Sequence, residues 1–175
     1  MSLDPLEVDI KPLGKERRGD FCCGINKIDN FFRNNARKDH EKYKVRVFIA
    51  TIVGIECPVG FYSLCLSAYV PENVGKDAQA KFERVNSVPA IYLAMLGVNK
   101  DYHRRGIGKQ LMRNAFTRAL TIAENAGAYA LALDAHDENV ANYYQEELGF
   151  QRFNVGELKM YMPLASLRAS ISKRK

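Results

Sequence analysis

The chain has 175 residues, 47% of them hydrophobic and 26% charged, and lysine plus arginine outnumber aspartate plus glutamate by 26 to 20, a formal +6 at pH 7. That length suits one domain with an ordinary core, and the composition is that of a globular protein, not a disordered or fibrous one. No run of eighteen or more apolar residues and no charged-then-apolar leader occurs, which argues against a membrane span or secretory signal and for a cytoplasmic location. The positive balance favours an anionic partner, either nucleic acid or a phosphorylated cofactor.

Cys22, Cys23, Cys57 and Cys65 show none of the spacings used by zinc sites, so no metal is expected. Adjacent Cys22 and Cys23 are poor disulfide partners, and all four are expected to be reduced and mostly buried. His40, His103 and His136 are scattered.

In chain order, residues 6–13 (LEVDIKPL) alternate apolar and polar and predict a strand. The stretch CGINKIDNFFRNNARKDHEKYK opens with a capping pattern, Asn26 followed by Asp29, and gathers Ile28, Phe31 and Phe32 on one face of a predicted helix. VRVFIATIV and VGFYSLCLSAYV, separated by GIECP, predict a hairpin. Residues 71–88 carry proline, glycine and charge and predict a long connection with at most a helical turn. AIYLAMLGVN is a nearly unbroken apolar run, the pattern of a strand covered on both faces.

The next helix keeps three-to-four spacing through Ile107, Leu111, Ala115, Ala119, Ile122 and Ala126, and Gly127 closes it. YALALDA predicts a strand, ENVANYYQEEL a helix, and FQRF with LKMYMPL a final strand pair; the tail RASISKRK is basic and disordered by composition. The order is βαβββαβαββ, read as one domain with a core at about 6–164 and a flexible basic tail at 165–175.

The stretch YHRRGIGKQLM, residues 102–112, sits between the buried strand and the long helix. The first turn of a helix leaves backbone N–H groups without partners and is partially positive, so it attracts phosphate. Gly106 and Gly108 lack a β-carbon and let a bulky anion approach, while Arg104, Arg105 and Lys109 add charge. Neither the GxxxxGK[ST] spacing of a Walker A loop nor a dinucleotide GxGxxG fits.

With LGVNKDYHRRGIGKQLM and NVANYYQEELGF in this order, the chain resembles the GNAT superfamily of acetyl-CoA-dependent N-acetyltransferases from about residue 6 to 164. The resemblance implies an α/β fold, with a mixed central sheet of about six to seven strands flanked by helices. The motif (Q/R)xxGx(G/A) falls on His103, Arg104, Arg105, Gly106, Ile107 and Gly108, with His103 departing from the usual glutamine or arginine. Their backbone N–H groups, with Lys109 alongside, would hold the CoA pyrophosphate. The strand edge at Leu96, Gly97 and Val98 would pair with the pantetheine arm, and Asn139 is carried over as a further cofactor contact. Tyr144 aligns with the tyrosine that protonates the departing thiolate, a task suited to a positioned phenol. Tyr143 is expected to pack into the core. QEELGF has one residue more than the commonest family spacing, which leaves the roles of the two tyrosines open to exchange.

FCCGINKIDNFFRNNARKD, VGFYSL, VPAIYLAMLGVN and DENVANYY further resemble the toxin branch of the superfamily, which acetylates the α-amino group of aminoacyl-tRNA. This implies cations for RNA phosphates, the candidates being Arg33, Arg37, Lys38, Lys42, Lys44, Lys81 and Arg84 with the tail. It also implies a ribbon–helix–helix antitoxin and allows a homodimer. Relatives in that branch often carry arginine where this chain has Met95. The rival readings are a small-molecule or protein amine as acceptor, and a CoA- or RNA-binding module without catalysis.

Overall fold

The computed structural model describes residues 5–172. Strand β1 (Asp9–Pro12) is followed by helix α1 (Asn26–Asn30), a π-helical turn (Phe31–Asn35), helix α2 (Ala36–Glu41) and strands β2 (Arg46–Thr51) and β3 (Gly60–Tyr69). Next come a 3₁₀ turn (Pro71–Val74), helix α3 (Lys76–Phe82), strand β4 (Val88–Val98), a 3₁₀ turn (Lys100–Tyr102) and helix α4 (Ile107–Ala126). Strand β5 (Ala130–Asp134), helix α5 (Glu138–Leu148), strands β6 (Gln151–Arg152) and β7 (Lys159–Pro163), and helix α6 (Leu164–Ser172) complete the order.

The seven strands form one mixed sheet in the order β1-β2-β3-β4-β5-β7-β6. β4 and β5 are parallel and joined through α4, while β1–β2, β2–β3, β5–β7 and β6–β7 are antiparallel. Ala90–Leu93 pair with Ala130–Leu133, and β4 then runs on to Val98 whereas β5 stops at Asp134. β4, expected to be covered on both faces, is buried at Val88, Ala90, Ile91, Leu93 and Gly97 but half-buried at Tyr92, Ala94, Met95, Leu96 and Val98, whereas the first four residues of β5 are all buried.

Two compact units emerge, one from the chain up to Cys65 with Ala94–Ala115, the other from Leu66–Leu93 with the chain from Phe116 onward. In the first, Phe21, Phe32 and Phe61 are fully buried, with Phe32 stacked on Phe61 at 4.0 Å and Phe21 edge-on to Phe32 at 4.7 Å. Truncating such a ring to alanine costs about 3–5 kcal/mol. Ile28, Phe32, Ala36 and His40 recur every fourth residue along the helical segment and turn inward. A stripe at that spacing drifts around an α-helix of 3.6 residues per turn, and the wider π turn corrects the drift. In the second unit Val74, Ala78, Val88, Ala130, Ala132 and Tyr161 form the core under α3.

Several expectations are corrected. Asn26 does not cap α1; the residue ahead of the helix is Ile25, which makes no side-chain cap. Asp29 instead secures the loop ahead of the helix, reaching back so that Oδ1 accepts the Cys23 N–H at 2.7 Å and Oδ2 the Gly24 N–H at 3.3 Å. The 71–88 connection holds two helical elements rather than one turn, because Pro71, Val74 and Ala78 are buried and anchor it. The segment expected to be a flexible tail is helical through Ser172, with Leu164 and Leu167 buried; residues 173–175 lie outside the described residues. The four cysteines are free, with only Cys23 fully buried.

Burial by itself raises the Asp29 carboxyl, but the N–H and thiol donors of Cys23, Gly24 and Cys22 outweigh it and hold the group below the ordinary 3.8. A depressed carboxyl stabilises the fold fully above its unfolded pKa, and that contribution is lost as pH falls through the folded value. Asp29→Asn is therefore expected to cost about 1–2 kcal/mol at pH 7. In urea titrations the gap from wild type should narrow as pH drops below 3.8; a gap independent of pH would mean the charge contributes nothing.

Candidate active site

The strand-to-helix junction is braced from several sides. The Leu6 N–H donates to the Arg105 carbonyl at 3.0 Å, and Gln110 grips the same N-terminal segment. Its Nε2 donates to Leu6 O at 2.6 Å and its Oε1 accepts the Val8 N–H at 3.3 Å. His103 folds back so that Nε2 lies 2.7 Å from the Val98 carbonyl; that oxygen can only accept, so Nε2 carries the proton. The residue that departs from the family pattern thus ties the loop to the end of β4. Gln110 and Leu6 were not evident from sequence, because bonds between residues about 100 positions apart leave no local signal.

Arg104 adopts φ +60° and Gly106 φ +76°. The left-handed conformation costs a residue with a side chain about 1–2 kcal/mol, and its persistence at Arg104 marks a loop whose shape is imposed by its surroundings. The first intrahelical bond of α4 runs from the Gln110 N–H to the Gly106 carbonyl at 3.2 Å, so the N–H groups of Ile107, Gly108 and Lys109 have no partner within the helix. Gly108 lies inside the first turn, where alanine would be better by about 0.5–1 kcal/mol. A β-carbon there would stand 3.8 Å from Val98 Cγ2, in ordinary contact, so packing does not demand the glycine. It leaves room for a ligand against backbone N–H groups, the fit required by a pyrophosphate.

Arg104 and Lys109 are exposed, Arg105 is half-buried and Ile107 is buried. Leu96 and Val98 are half-buried on β4. Gly97 faces the other way: a β-carbon on it would meet Ile28 at 2.9 Å and Phe61 at 3.3 Å, so it is a packing residue of the aromatic core. Met95 is packed against the same core.

On α5, capped by Asp137 Oδ1 accepting the Val140 N–H at 2.9 Å and closed by Gly149 at φ +80°, Tyr144 is half-buried. Burial, with a smaller contribution from Tyr143, pushes its phenol up to about 12. Its ring lies 5.8 Å from that of Phe150. Tyr143, expected in the core, is 40% exposed, because the position before Tyr144 on the helix faces outward. Asn139 is exposed in the first turn. Arg152, unremarked in the sequence, holds this helix to the following strand by donating to Glu138, Asn142, Gln145 and the Glu157 carbonyl.

The cations considered for RNA divide into two groups. Arg33 Nε donates to the Phe21 carbonyl at 2.6 Å, and Arg37 donates to the Gly14 and Glu16 carbonyls, so both brace the loop before α1. Lys81 pairs with Asp77 at 2.9 Å and Lys44 with Asp39 at 3.4 Å. Lys38, Lys42 and Arg84 are exposed. Among the described residues no group of three or more His, Cys, Asp or Glu is placed to hold a metal, and no helix is long and apolar enough to cross a membrane.

A phosphate-receptive turn at the head of a helix following a buried strand, with a masked phenol on the next helix, is the arrangement of an acyl-CoA-dependent transferase. Residues 25–150 match the model of the acetyltransferase (GNAT) family, and the chain belongs to that family. It is 31% identical over 174 residues to a probable toxin TacT of Sinorhizobium fredii, spanning 91% of this chain and 93% of the relative. It is 31% identical over 126 residues to a tRNA-acetylating toxin of Mycobacterium tuberculosis, spanning 70% and 72% respectively. In fold it is similar to a mutant of the toxin AtaT solved with the C-terminus of the antitoxin AtaR and acetyl-CoA. That likeness has a TM-score of 0.77 at 19% identity and covers 94% of this chain and 98% of the other.

Gly106→Ala, which puts a β-carbon at φ +76°, is expected to lose about 1–2 kcal/mol of unfolding free energy, whereas Gly108→Ala should gain about 0.5–1 kcal/mol. Urea unfolding of the two variants checks this. Equal destabilisation would mean that Gly108, too, is there for packing.

Proposed function

We propose that the chain is an acetyl-CoA-dependent N-acetyltransferase whose acceptor is the α-amino group of aminoacyl-tRNA, a translation-blocking toxin. The observation that carries the reading is the open first turn of α4, where Gly108 is kept at a stability cost that no packing contact explains. The acceptor is supported by the tRNA-acetylating relative and by the +6 charge of the chain. A small antitoxin that binds and neutralises the chain accompanies this reading, as it accompanies AtaT.

Acetyl-CoA supplies the activated acetyl group. The N–H groups of Ile107, Gly108 and Lys109 receive its pyrophosphate, and Arg104, Arg105 and Lys109 offset the charge. Leu96 and Val98 offer main-chain groups to the pantetheine arm; the Val98 carbonyl is already engaged by His103, which leaves the Val98 N–H for that role. Asn139 is a further contact in the first turn of α5. Tyr144, a phenol whose pKa burial raises further, keeps its proton throughout the neutral range. It can donate to the sulfur as negative charge develops. An ammonium acceptor loses two protons in becoming an amide: one ends on the CoA thiol by way of Tyr144, the other in solvent.

Lys38, Lys42, Lys81 and Arg84 are the exposed cations assigned to RNA phosphates. Arg33 and Arg37 contribute through whatever their bracing bonds leave free. A second reading, a small amine as acceptor, draws on that commitment of Arg33 and Arg37 and on Met95.

Thiol release from acetyl-CoA, followed with charged and with uncharged tRNA, tests the proposal. Turnover is expected only with charged tRNA, and Tyr144→Phe should lower kcat by about 10²–10⁴-fold with little change in KM for acetyl-CoA. Turnover with free amines but not charged tRNA would favour the second reading. A fully active Tyr144→Phe would remove the tyrosine from the mechanism.

A further inference from the structure

Asp134 ends β5, the strand that runs parallel to β4, and its side chain is exposed. Open parallel sheets bind ligands beyond the carboxyl ends of their strands. Alternation along β5 puts Asp134 on the face of Ala130 and Ala132, which belong to the core beneath α3. The hydroxyl of Tyr92, on β4, donates to Asp134 Oδ2 at 2.6 Å. Asp134 Oδ1 has no partner among the described residues.

The carboxylate has also been left without a cation. Lys159 stands directly opposite it in the β5–β7 register, yet lies with its ammonium 6.0 Å over the ring of Tyr69 and forms no ion pair with Asp134 among the described residues. Three carboxylates of the same unit do hold cations: Asp77 with Lys81, Glu138 with Arg152 and Glu124 with Arg168. The half-buried rings of Tyr69 and Phe153, 4.8 Å apart, and of Tyr92 pack against the core to which Ala130 and Ala132 belong.

From this arrangement we infer that Asp134 receives the amino group of the acceptor, with Tyr92 as its positioning residue; the inference rests on the acetyltransferase reading above. Oδ1 accepts an N–H of the incoming amine, and the carboxylate offsets the positive charge that nitrogen carries as it attacks the acetyl carbon. Tyr92 fixes the carboxylate plane so that Oδ1 stays directed to the acceptor. The neighbouring rings provide an apolar and cation-tolerant wall for the group that bears the amine. The site therefore favours a primary amine that arrives as an ammonium, gives one proton to solvent and attacks as the neutral amine, and it disfavours anionic nucleophiles.

Kinetics of wild type, Asp134→Asn, Asp134→Glu and Tyr92→Phe on charged tRNA and on a simple aminoacyl ester, with acetyl-CoA affinity measured by calorimetry, test the assignment. Asp134→Asn, which keeps the shape and the acceptor for the Tyr92 hydroxyl, should lower kcat/KM for the amine about 10- to 100-fold and leave acetyl-CoA affinity unchanged. Tyr92→Phe should raise KM for the acceptor about 3- to 10-fold, and Asp134→Glu should recover part of the loss. Wild-type kcat/KM in Asp134→Asn, on whichever acceptor is used, would overturn the inference, as would a parallel loss of acetyl-CoA binding. Turnover of the ester alone would sink the tRNA reading and leave Asp134 to be judged on the ester, whereas turnover of neither would overturn both.

Discussion

The backbone N–H groups at the head of α4 are the constraint on which the rest depends. Helix geometry leaves them without internal partners. The chain surrounds them with a left-handed Arg104, a left-handed Gly106 and a helical Gly108, each less stable than the alternatives. The bracing by Leu6, Gln110 and His103 keeps that turn in place. Stability is given up locally at this turn, and it is recovered in the cores of the two units.

The sheet supports the same chemistry. Its parallel register ends at Leu93 and Leu133, and β4 then runs on to Val98 beyond it. The chemistry-bearing groups lie at or just after strand ends: the turn after β4, Asp134 at the close of β5, and Tyr144 on the helix that follows β5. Tyr144 is half-buried, which raises its phenol, whereas Asp134 is exposed.

Much of this was legible in the sequence. The order of strands, the strand-to-helix junction at Gly106 and Gly108, and the helix bearing Tyr144 follow from local periodicity and from glycine placement, which report backbone geometry directly. What was illegible is tertiary. Asn26 has the chemistry of a cap but Asp29, one turn on, reaches two N–H groups, and only the path of Cys23–Gly24 decides between them. Arg33 and Arg37 look like a basic face for RNA, yet carbonyls of the loop that leads into α1 claim them. α6 was hidden by the basic run that closes the chain, and docking of Leu164 and Leu167 orders it. Gly97 reads as part of a binding strand, but Ile28 and Phe61 need its space.

The central claim is that the turn at α4 and Tyr144 together acetylate an amino acid while it is esterified to tRNA. The most direct test is incubation of the protein with acetyl-CoA and total charged tRNA, followed by nuclease digestion and mass spectrometry of the terminal nucleoside. The account predicts N-acetylaminoacyl-adenosine with wild type and none with Tyr144→Phe. Consumption of acetyl-CoA with no acetylated aminoacyl-adenosine in the digest would contradict it.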